Sequence, residues 1–498
     1  MSFETARTVS RNAVVMLGAQ GVTWVSSFVL MIFLPRYLGS EDFGQLFLAM
    51  SLALMAQVFI DFGGSYYIAK EISRDPSQAA PLVANSIGLR LGLTMISILA
   101  LMLFVVIGRY PTPVRILVLI LGAAKFWEGI SAVMVSTFQG FERMEYRSIA
   151  SITERVLLTA IAVPILIMGG NSTVIAAIMS VSTLASFVVG FFFLRRLVPR
   201  LPRISWTQAW SLAKEGLPYL LMAIFAVIYY RVNAIMLSLM TTETVVGWFG
   251  AAFRFFDILM FFPNILSLAV FPVLARMGGQ QGNVSRATRK SLDVILLAGI
   301  PICIGTFAFA EDIIRILFGL DQYADSLPIL RVLSPGLLLI YVDFILVMAL
   351  VAFDRQRQWS IIALLAIPLS VGLNYFLIPV FQSGMGNGGV GSALATNLVE
   401  LFIMVSAIVL MPRGILRGDG FAVPLKGVAA GCVMGAVVWL LQQQAELPWF
   451  LVAPLSVVAY AGTLAALRVL EVQEKEFLRD FLSVRGLRRV ISAGRETG

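Results

Sequence analysis

The chain has 498 residues, of which 59% are apolar and 13% are charged, and its mean hydropathy is +0.89. Soluble globular proteins contain about 45–50% apolar and about 25% charged residues, so these values exclude a soluble enzyme, a disordered chain and a nucleic-acid-binding module. The apolar excess is too large for one core and requires lipid as the solvent. Because the chain has no histidine, histidine-based catalysis and metal sites are excluded. Two distant cysteines provide neither a disulfide framework nor a zinc motif, and we expect no cofactor.

Fourteen runs of about 20 residues are apolar enough to cross roughly 30 Å of hydrocarbon. The runs are continuous rather than short and alternating, so they predict helices and not a β-barrel. The first run is expected to end at Pro35. In chain order, the predicted spans are 13–34, 43–69, 81–107, 116–138, 149–168, 174–194, 217–240, 245–274, 292–310, 327–353, 360–380, 390–410, 425–441 and 450–467.

The basic residues predict how these spans are oriented. With the N-terminus in the cytoplasm, 27 of the 37 Lys and Arg residues fall on the cytoplasmic side, five fall outside and five lie within spans. Since cytoplasmic loops carry the excess of Lys and Arg, both termini are predicted to be cytoplasmic. The first span lacks a small-residue cleavage site and is too long for a signal peptide. The sequence therefore predicts an all-α, multi-pass protein of the plasma (inner) membrane.

The longest cytoplasmic connection, 195–216, divides six spans from eight and contains five basic residues and two prolines. We therefore predict an N-lobe at 1–194, a linker at 195–216, a C-lobe at 217–410 and two further spans at 411–468. The tail at 469–498 is polar, with apolar residues spaced as in an amphipathic helix. A shift of 203 residues places Gly44 on Gly247 and Asp61 on Asn264, a weak repeat of the kind found in transporters that bind substrate between two halves.

Eleven charged residues fall within the predicted spans. One charge at the bilayer centre costs roughly 2.5–3.5 kcal/mol, so eleven facing lipid would cost about 30 kcal/mol, whereas folding stability is only about 5–15 kcal/mol. Most of these side chains are therefore expected to face the protein interior, a watery cavity or each other. The five cations are Arg90, Lys125, Arg155, Arg231 and Arg254, and the six carboxylates are Asp61, Glu128, Glu154, Asp257, Asp343 and Glu400.

These charges suggest an anionic substrate. Lys125 and Glu128 are three residues apart on one helix, a spacing that allows a local ion pair. Arg forms bidentate hydrogen bonds to phosphate oxygens, and a polar headgroup cannot cross hydrocarbon without partners. We therefore predict that all five cations bind a lipid-linked phosphate. Asp61, Asp257, Asp343 and Glu400 are the candidates for coupling to H⁺ or Na⁺, although the membrane potential alone could also drive an anion outward.

Seven short segments resemble the Wzx-type polysaccharide-biosynthesis flippases, a branch of the multidrug/oligosaccharidyl-lipid/polysaccharide exporter superfamily. In order, they are LPRYLGSEDFG at 34–44, DFG at 61–63, FQGFER at 138–143, GWFGAA at 247–252, FPVL at 271–274, NYFLIP at 374–379 and GGVGSALAT at 388–396. The resemblance implies a two-lobe bundle with a central cationic cavity, alternating access and a polyprenyl-linked oligosaccharide as substrate. The family often carries Asp where Asn233 stands, which weakens a cation-coupling role at this position.

We therefore expect a non-enzymatic flippase that moves a polyprenyl-(pyro)phosphate-linked oligosaccharide to the outer leaflet. Its expected partners are the lipid-linked substrate, membrane lipids, H⁺ or Na⁺, and a glycan polymerase or glycosyltransferase. Three alternatives stay open: a cation-coupled multidrug exporter of the same superfamily, a peptidoglycan-precursor flippase and a membrane glycan polymerase. The absence of a GxxxxGK[ST] motif argues against a built-in ATP site, and the short outside loops argue against the polymerase.

Overall fold

The computed structural model describes residues 3–263, 281–411, 422–443 and 447–469. These residues form α-helices joined by short connections and contain no strand. The helices are α1 Phe3–Asp61, α2 Gly64–Arg74, α3 Ala79–Ile107, α4 Thr112–Gly140, α5 Met144–Ile167, α6 Ser172–Leu197, α7 Trp206–Met240, α8 Glu243–Leu259, α9 Gln281–Ala308, α10 Ala310–Leu317, α11 Leu320–Tyr323, α12 Ser326–Ala352, α13 Gln356–Met385, α14 Gly388–Leu410, α15 Ala422–Gln443 and α16 Trp449–Ala466.

Twelve helices in the described ranges are long and apolar enough to cross a membrane. A helix such as α3, with 29 residues, is about 44 Å long at about 1.5 Å per residue and exceeds the hydrocarbon thickness. Large apolar side chains stay exposed along the bundle, among them Leu99 at 71% and Val409 at 75%, as expected where lipid replaces water. The all-α, multi-pass architecture is confirmed, whereas the fourteen-span count and the cytoplasmic termini stay predictions.

Two of the predicted spans form one interrupted helix. Helix α1 continues through Pro35 and changes direction at Gly39, which has φ 79° and ψ 168°. A proline removes one intrahelical hydrogen bond and is tolerated in membrane helices, whereas a positive φ combined with a ψ near 180° is open essentially to glycine alone. The break therefore lies at Gly39 and not at the predicted Pro35. We call the part of α1 that follows Gly39, residues 40–61, α1b.

The described chain separates into two compact units. The N-unit comprises Thr8–Ala251 and Ser370–Ser392, and the C-unit comprises the described residues of Met1–Arg7, Ala252–Leu369 and Ala393–Gly498. In the N-unit, α4 packs against α2, α3 and α6, and α5 packs against α6. In the C-unit, α9 packs against α12 and α15, and α15 packs against α16.

Apolar clusters and local hydrogen bonds hold each unit together. One N-unit cluster includes the buried side chains Ile72 and Phe138, and one C-unit cluster includes Met434. The side chain of Asn171 accepts a hydrogen bond from the backbone N–H of Val174 at 3.0 Å and caps α6. Such caps satisfy backbone groups that the first helical turn leaves unpaired.

Within the predicted linker 195–216, only residues 198–205 lie between helices, since α6 ends at Leu197 and α7 begins at Trp206. Asn85 on α3 holds this segment, because its Nδ2 donates to Gln208 Oε1 at 2.7 Å and its Oδ1 accepts from Ser205 N at 2.7 Å. The predicted lobe boundaries stay predictions. The predicted amphipathic tail lies outside the described residues from position 470 onward, as does Asn264.

The repeat-matched segments of α1b and α8 pack directly against each other in the N-unit. A Cβ added to Gly44 would overlap the carbonyl oxygen of Glu243 and lie 2.9 Å from its carbonyl carbon. A Cβ added to Gly247 would overlap the carbonyl oxygen of Ser40 and lie 2.8 Å from its carbonyl carbon. Because Ser40 and Glu243 are also related by 203 residues, the contact is reciprocal. We call this contact the glycine crossing.

Candidate functional site

Arg90 lies at the centre of a buried polar network in the N-unit. Its side chain, on α3, is 2% exposed, and its Nη2 donates to Asp61 Oδ1 at 2.5 Å and to Ser65 Oγ at 2.9 Å. Its Nη1 donates to the backbone carbonyl of Gly129 on α4 at 2.9 Å. Ser65 in turn donates to Asp61 Oδ1 at 2.5 Å. The predicted binding cation Arg90 and the predicted coupling residue Asp61 therefore form an ion pair that ties α1b, α2, α3 and α4 together.

Lys125 and Glu128 form the local ion pair that their spacing allows. Lys125 Nζ lies 2.5 Å from Glu128 Oε2, and the Lys125 side chain is 8% exposed. Glu154 on α5 lies within electrostatic range of both residues. Lys125 and Arg155 therefore both act on Glu154, and Lys125 is already paired within the cluster.

A polar cavity of about 440 Å³ lies beside this cluster, between α1b, α2, α4, α5 and α6. We call it the N-unit cavity. Glu128 and Glu154 line it, together with serine and glutamine side chains and one cation, Arg147. None of the five predicted binding cations lines it. Sequence analysis missed Gln57, Ser131 and Arg147, because isolated polar residues in membrane helices are usually explained by bonds between helices.

The remaining predicted cations have different surroundings. Arg155 is exposed and follows Glu154 on α5. Arg231 is half-buried on α7, and no carboxylate among the described residues lies within ion-pair distance of it. Arg254, on α8 in the C-unit, is half-buried and interacts electrostatically with Tyr323. Asp257, one turn further along α8, is exposed.

Two predicted coupling residues meet in the C-unit. Asp343 on α12 and Glu400 on α14 are 5% and 3% exposed, and their side chains interact. In the described part of the chain, no basic, hydroxyl or amide group donates a hydrogen bond to either carboxylate oxygen of Asp343. Two carboxylates in such a site cannot both be ionised without strong repulsion, so the geometry suits a shared proton.

The asparagines near the predicted substrate path bond to protein groups. Asn374 on α13 is fully buried, and its Nδ2 donates to Asn233 Oδ1 on α7 at 2.8 Å. Ser392 on α14 donates to Asn374 Oδ1 at 2.8 Å. In the C-unit, Asn397 donates to the carbonyl oxygen of Val332 at 2.5 Å. These bonds join helices within each unit, which is the usual role of such groups in membranes.

Comparison with known proteins identifies the family. The family model for polysaccharide biosynthesis proteins matches residues 9–278, and the model for the lipid II flippase MurJ matches residues 148–460. The chain is 23% identical over 380 residues to the probable low-salt glycan biosynthesis flippase Agl15 of Haloferax volcanii, covering 74% of this chain and 76% of Agl15. It is also 25% identical over 189 residues to the multidrug export protein MepA of Staphylococcus haemolyticus, covering 37% of this chain and 40% of MepA.

Solved structures share the fold. The lipid II flippase MurJ in an inward closed conformation superposes with a TM-score of 0.71 at 14% identity, covering 95% of this chain and 99% of that one. An inward-facing multidrug resistance transporter of the MATE family gives a TM-score of 0.63 at 16% identity, covering 82% and 95%. These likenesses show the fold, and the family match shows that the chain, a multi-pass membrane protein, belongs to the polysaccharide biosynthesis protein family.

Proposed function

We propose that the protein moves a polyprenyl-(pyro)phosphate-linked oligosaccharide from the cytoplasmic to the outer leaflet of the inner membrane, by alternating access and without changing a covalent bond. Membership of the polysaccharide biosynthesis family supports this proposal, as does the likeness to Agl15, which is named a probable glycan biosynthesis flippase. The headgroup needs a protein path because its polar groups would lose their hydrogen bonds in hydrocarbon. A glycosyltransferase would supply the substrate and a glycan polymerase would consume it.

The proposal rests mainly on one observation, the lack of a carboxylate partner for Arg231. Its guanidinium is half-buried within a membrane helix, and no described carboxylate neutralises it. Cations within membrane helices are expensive and are usually paired or functional. A phosphate oxygen would supply the missing negative charge and could accept two parallel hydrogen bonds from the guanidinium.

We assign different roles to the five predicted cations. Arg231, Arg155 and Arg254 are the proposed contacts for the phosphate groups. Arg90 and Lys125 already form ion pairs at 2.5 Å with Asp61 and Glu128, and a substrate phosphate would have to displace these carboxylates before it could bind either cation. We therefore propose that Arg90 and Lys125 position helices in the N-unit and do not contact the substrate.

We further propose that the Asp343–Glu400 pair couples transport to protons. Asp343 and Glu400 are both buried, and Glu400 is the charged group that acts on Asp343. Binding one proton relieves their mutual repulsion, and losing it restores the repulsion, so the proton-bound and proton-free forms favour different packing of α12 and α14. Asp61 is held by Arg90 and Ser65 and is a weaker candidate for this role.

The proposed function is tested in cells that depend on this protein for surface glycan. Arg231→Ala should lower the rate of glycan export by about 10- to 100-fold, the loss expected for one charge-assisted, bidentate contact, and the lipid-linked glycan should accumulate in the inner leaflet. Arg200→Ala is the matched control, since Arg200 is exposed in the connection between α6 and α7, and it should export normally. Wild-type export by Arg231→Ala at normal protein level would contradict the proposed phosphate contact.

A further inference from the structure

The N-unit cavity contains buried polar atoms that lack hydrogen-bond partners. Among the described residues, Gln57 Oε1 on α1b and Ser131 Oγ on α4 are shielded from solvent and bond to nothing. Each unsatisfied buried polar atom costs about 1–3 kcal/mol. Both residues line the cavity, so a rotation of either side chain would bring its oxygen to a ligand inside the cavity, which could then supply the missing partner.

The charges around the N-unit cavity nearly cancel. Lys125 neutralises Glu128 at 2.5 Å. Arg147 and Glu154 are seven residues apart on α5, which places them on one face two turns apart, and both line the cavity. The cavity therefore has no excess of positive charge to attract a pyrophosphate. It also has no excess of negative charge to attract a cation.

The neutral groups that line the cavity suit a ligand with many hydroxyl groups. Gln57, Gln139, Ser131 and Ser151 supply amide and hydroxyl groups that can each donate and accept hydrogen bonds. A sugar hydroxyl also donates and accepts, so a sugar with several hydroxyl groups can bond to both Gln57 and Ser131. The volume of about 440 Å³ lies within the range of about 300–1,000 Å³ that is usual for small-molecule sites.

The cavity also lies at a suitable depth. It reaches Gln139, next to the end of α4, and Arg147, in the first turn of α5. The charge distribution predicts that these helix ends are cytoplasmic. A headgroup assembled in the cytoplasm would meet this end of the N-unit first.

We propose that the N-unit cavity is a glycan subsite that binds uncharged sugar residues of the headgroup, separately from the arginines that hold the phosphates. This inference rests on the proposed flippase function and adds a site that binds the sugar selectively. Gln57 and Ser131 are its specificity-determining residues, and Arg147 and Glu154 supply one charged donor and one charged acceptor for hydroxyl groups.

The test uses Gln57→Leu combined with Ser131→Ala. Because Gln57 Oε1 and Ser131 Oγ bond to nothing in the protein, their removal should leave the melting temperature unchanged or raised. Glycan export in cells should fall by about tenfold, since two hydrogen bonds to the sugar are lost. Binding of undecaprenyl pyrophosphate without sugar to the purified full-length protein should stay unchanged.

Two further variants keep the test decisive. Ser182→Ala removes a fully buried serine of α6 that bonds to the carbonyl of Ile178 at 2.8 Å and is absent from the cavity lining, so it should export normally. Ser151→Trp fills the cavity from α5 without removing a hydrogen bond within the protein, and it should reduce export while sparing binding of undecaprenyl pyrophosphate.

Wild-type export by both the Gln57/Ser131 double variant and Ser151→Trp would overturn the glycan subsite. An equal loss of export and of undecaprenyl pyrophosphate binding would also overturn it, because the cavity would then not distinguish the sugar from the phosphate. Failure of the proposed function is distinguishable: Arg231→Ala would then export normally, and the wild-type protein would not bind undecaprenyl pyrophosphate.

Discussion

The glycine crossing predicts that a single methyl group will change the conformation of this protein. In Gly44→Ala, the new Cβ would overlap the carbonyl oxygen of Glu243, and in Gly247→Ala it would overlap that of Ser40. Both obstacles are backbone atoms, which cannot rotate aside like a side chain. The two segments must therefore separate by more than about 1 Å before ordinary van der Waals contact is restored.

The magnitude follows from the cost of overpacking. An extra methyl group in a well-packed site costs typically about 1–3 kcal/mol, and about 1.4 kcal/mol changes an equilibrium constant tenfold. The packed crossing should therefore become about 5- to 150-fold less favourable relative to any conformation in which α1b and α8 separate. Because the contact is reciprocal, the two substitutions should have similar effects.

The assay measures access to Ser51, which is 1% exposed and lies two turns beyond Gly44 on the same face of α1b. Ser51→Cys, in a chain with Cys303 and Cys432 replaced by serine, is labelled in intact cells by a thiol reagent that cannot cross the membrane. Labelling should be about 5- to 150-fold faster with Gly44→Ala or Gly247→Ala. Gly92→Ala is the control, since a Cβ there meets no atom within 4 Å.

Equal labelling rates for Gly44→Ala, Gly247→Ala and Gly92→Ala would refute the close backbone contact. A large effect of one alanine and none of the other would refute its reciprocal geometry. If both variants are lost from the membrane, the test uses Gly250→Ala, whose Cβ would lie 2.8 Å from the ring of Phe47, a side chain that can move. Labelling of a stable Gly250→Ala variant at the control rate would also count against the prediction.

Three further predictions concern the polar networks. Arg90→Ala should destabilise the protein by about 1–3 kcal/mol, because it leaves the half-buried Asp61 carboxylate and the carbonyl of Gly129 without their shared partner; thermal unfolding in detergent measures this, and a second substitution, Asp61→Ala, should recover part of the loss. Asp343→Asn should make transport insensitive to dissipation of the pH gradient that slows the wild-type protein, and equal slowing of both would argue against coupling at the pair with Glu400. Asn374→Leu should cost about 1–3 kcal/mol in unfolding free energy, because it removes two buried hydrogen bonds that join α13 to α7 and α14, and a stability equal to wild type would show that these bonds contribute nothing to stability.

The sequence predicted the features that depend on residues close together in the chain. Continuous apolar runs predict membrane helices because every backbone polar group must be satisfied within the helix. The Lys125–Glu128 pair is predictable from its three-residue spacing on one helix. The first run was predicted to end at Pro35, but the helix continues to Gly39, because a proline can remain in a membrane helix while a glycine with positive φ interrupts one.

Features that join distant helices could not be predicted in the same way. Arg90 and Asp61 are separated by 29 residues, and Asp343 and Glu400 lie on different helices of the C-unit. Their pairing depends on which face each helix turns towards its neighbours. The sequence of a membrane helix does not indicate this face, because apolar side chains can face either the lipid or the protein core. The N-unit cavity was missed for the same reason, since Ser131 and Gln57 carry no spacing signal.

The arrangement of charge suggests that different groups of the proposed flippase bind the phosphate and the sugar of the substrate. If every intramembrane cation bound phosphate, the affinity for the substrate would be high. The protein would then not discriminate among lipid-linked glycans, because all of them carry the same pyrophosphate. In the proposed function, Arg90 and Lys125 do not share that role, because both are already paired with carboxylates. Binding of the shared phosphate then falls to a few arginines, such as Arg231, while an uncharged cavity can discriminate among sugars through hydroxyl positions. Such a cavity can discriminate strongly between sugars. A sugar that does not bond to buried polar groups such as Ser131 Oγ binds more weakly, because the free energy of those hydrogen bonds is missing.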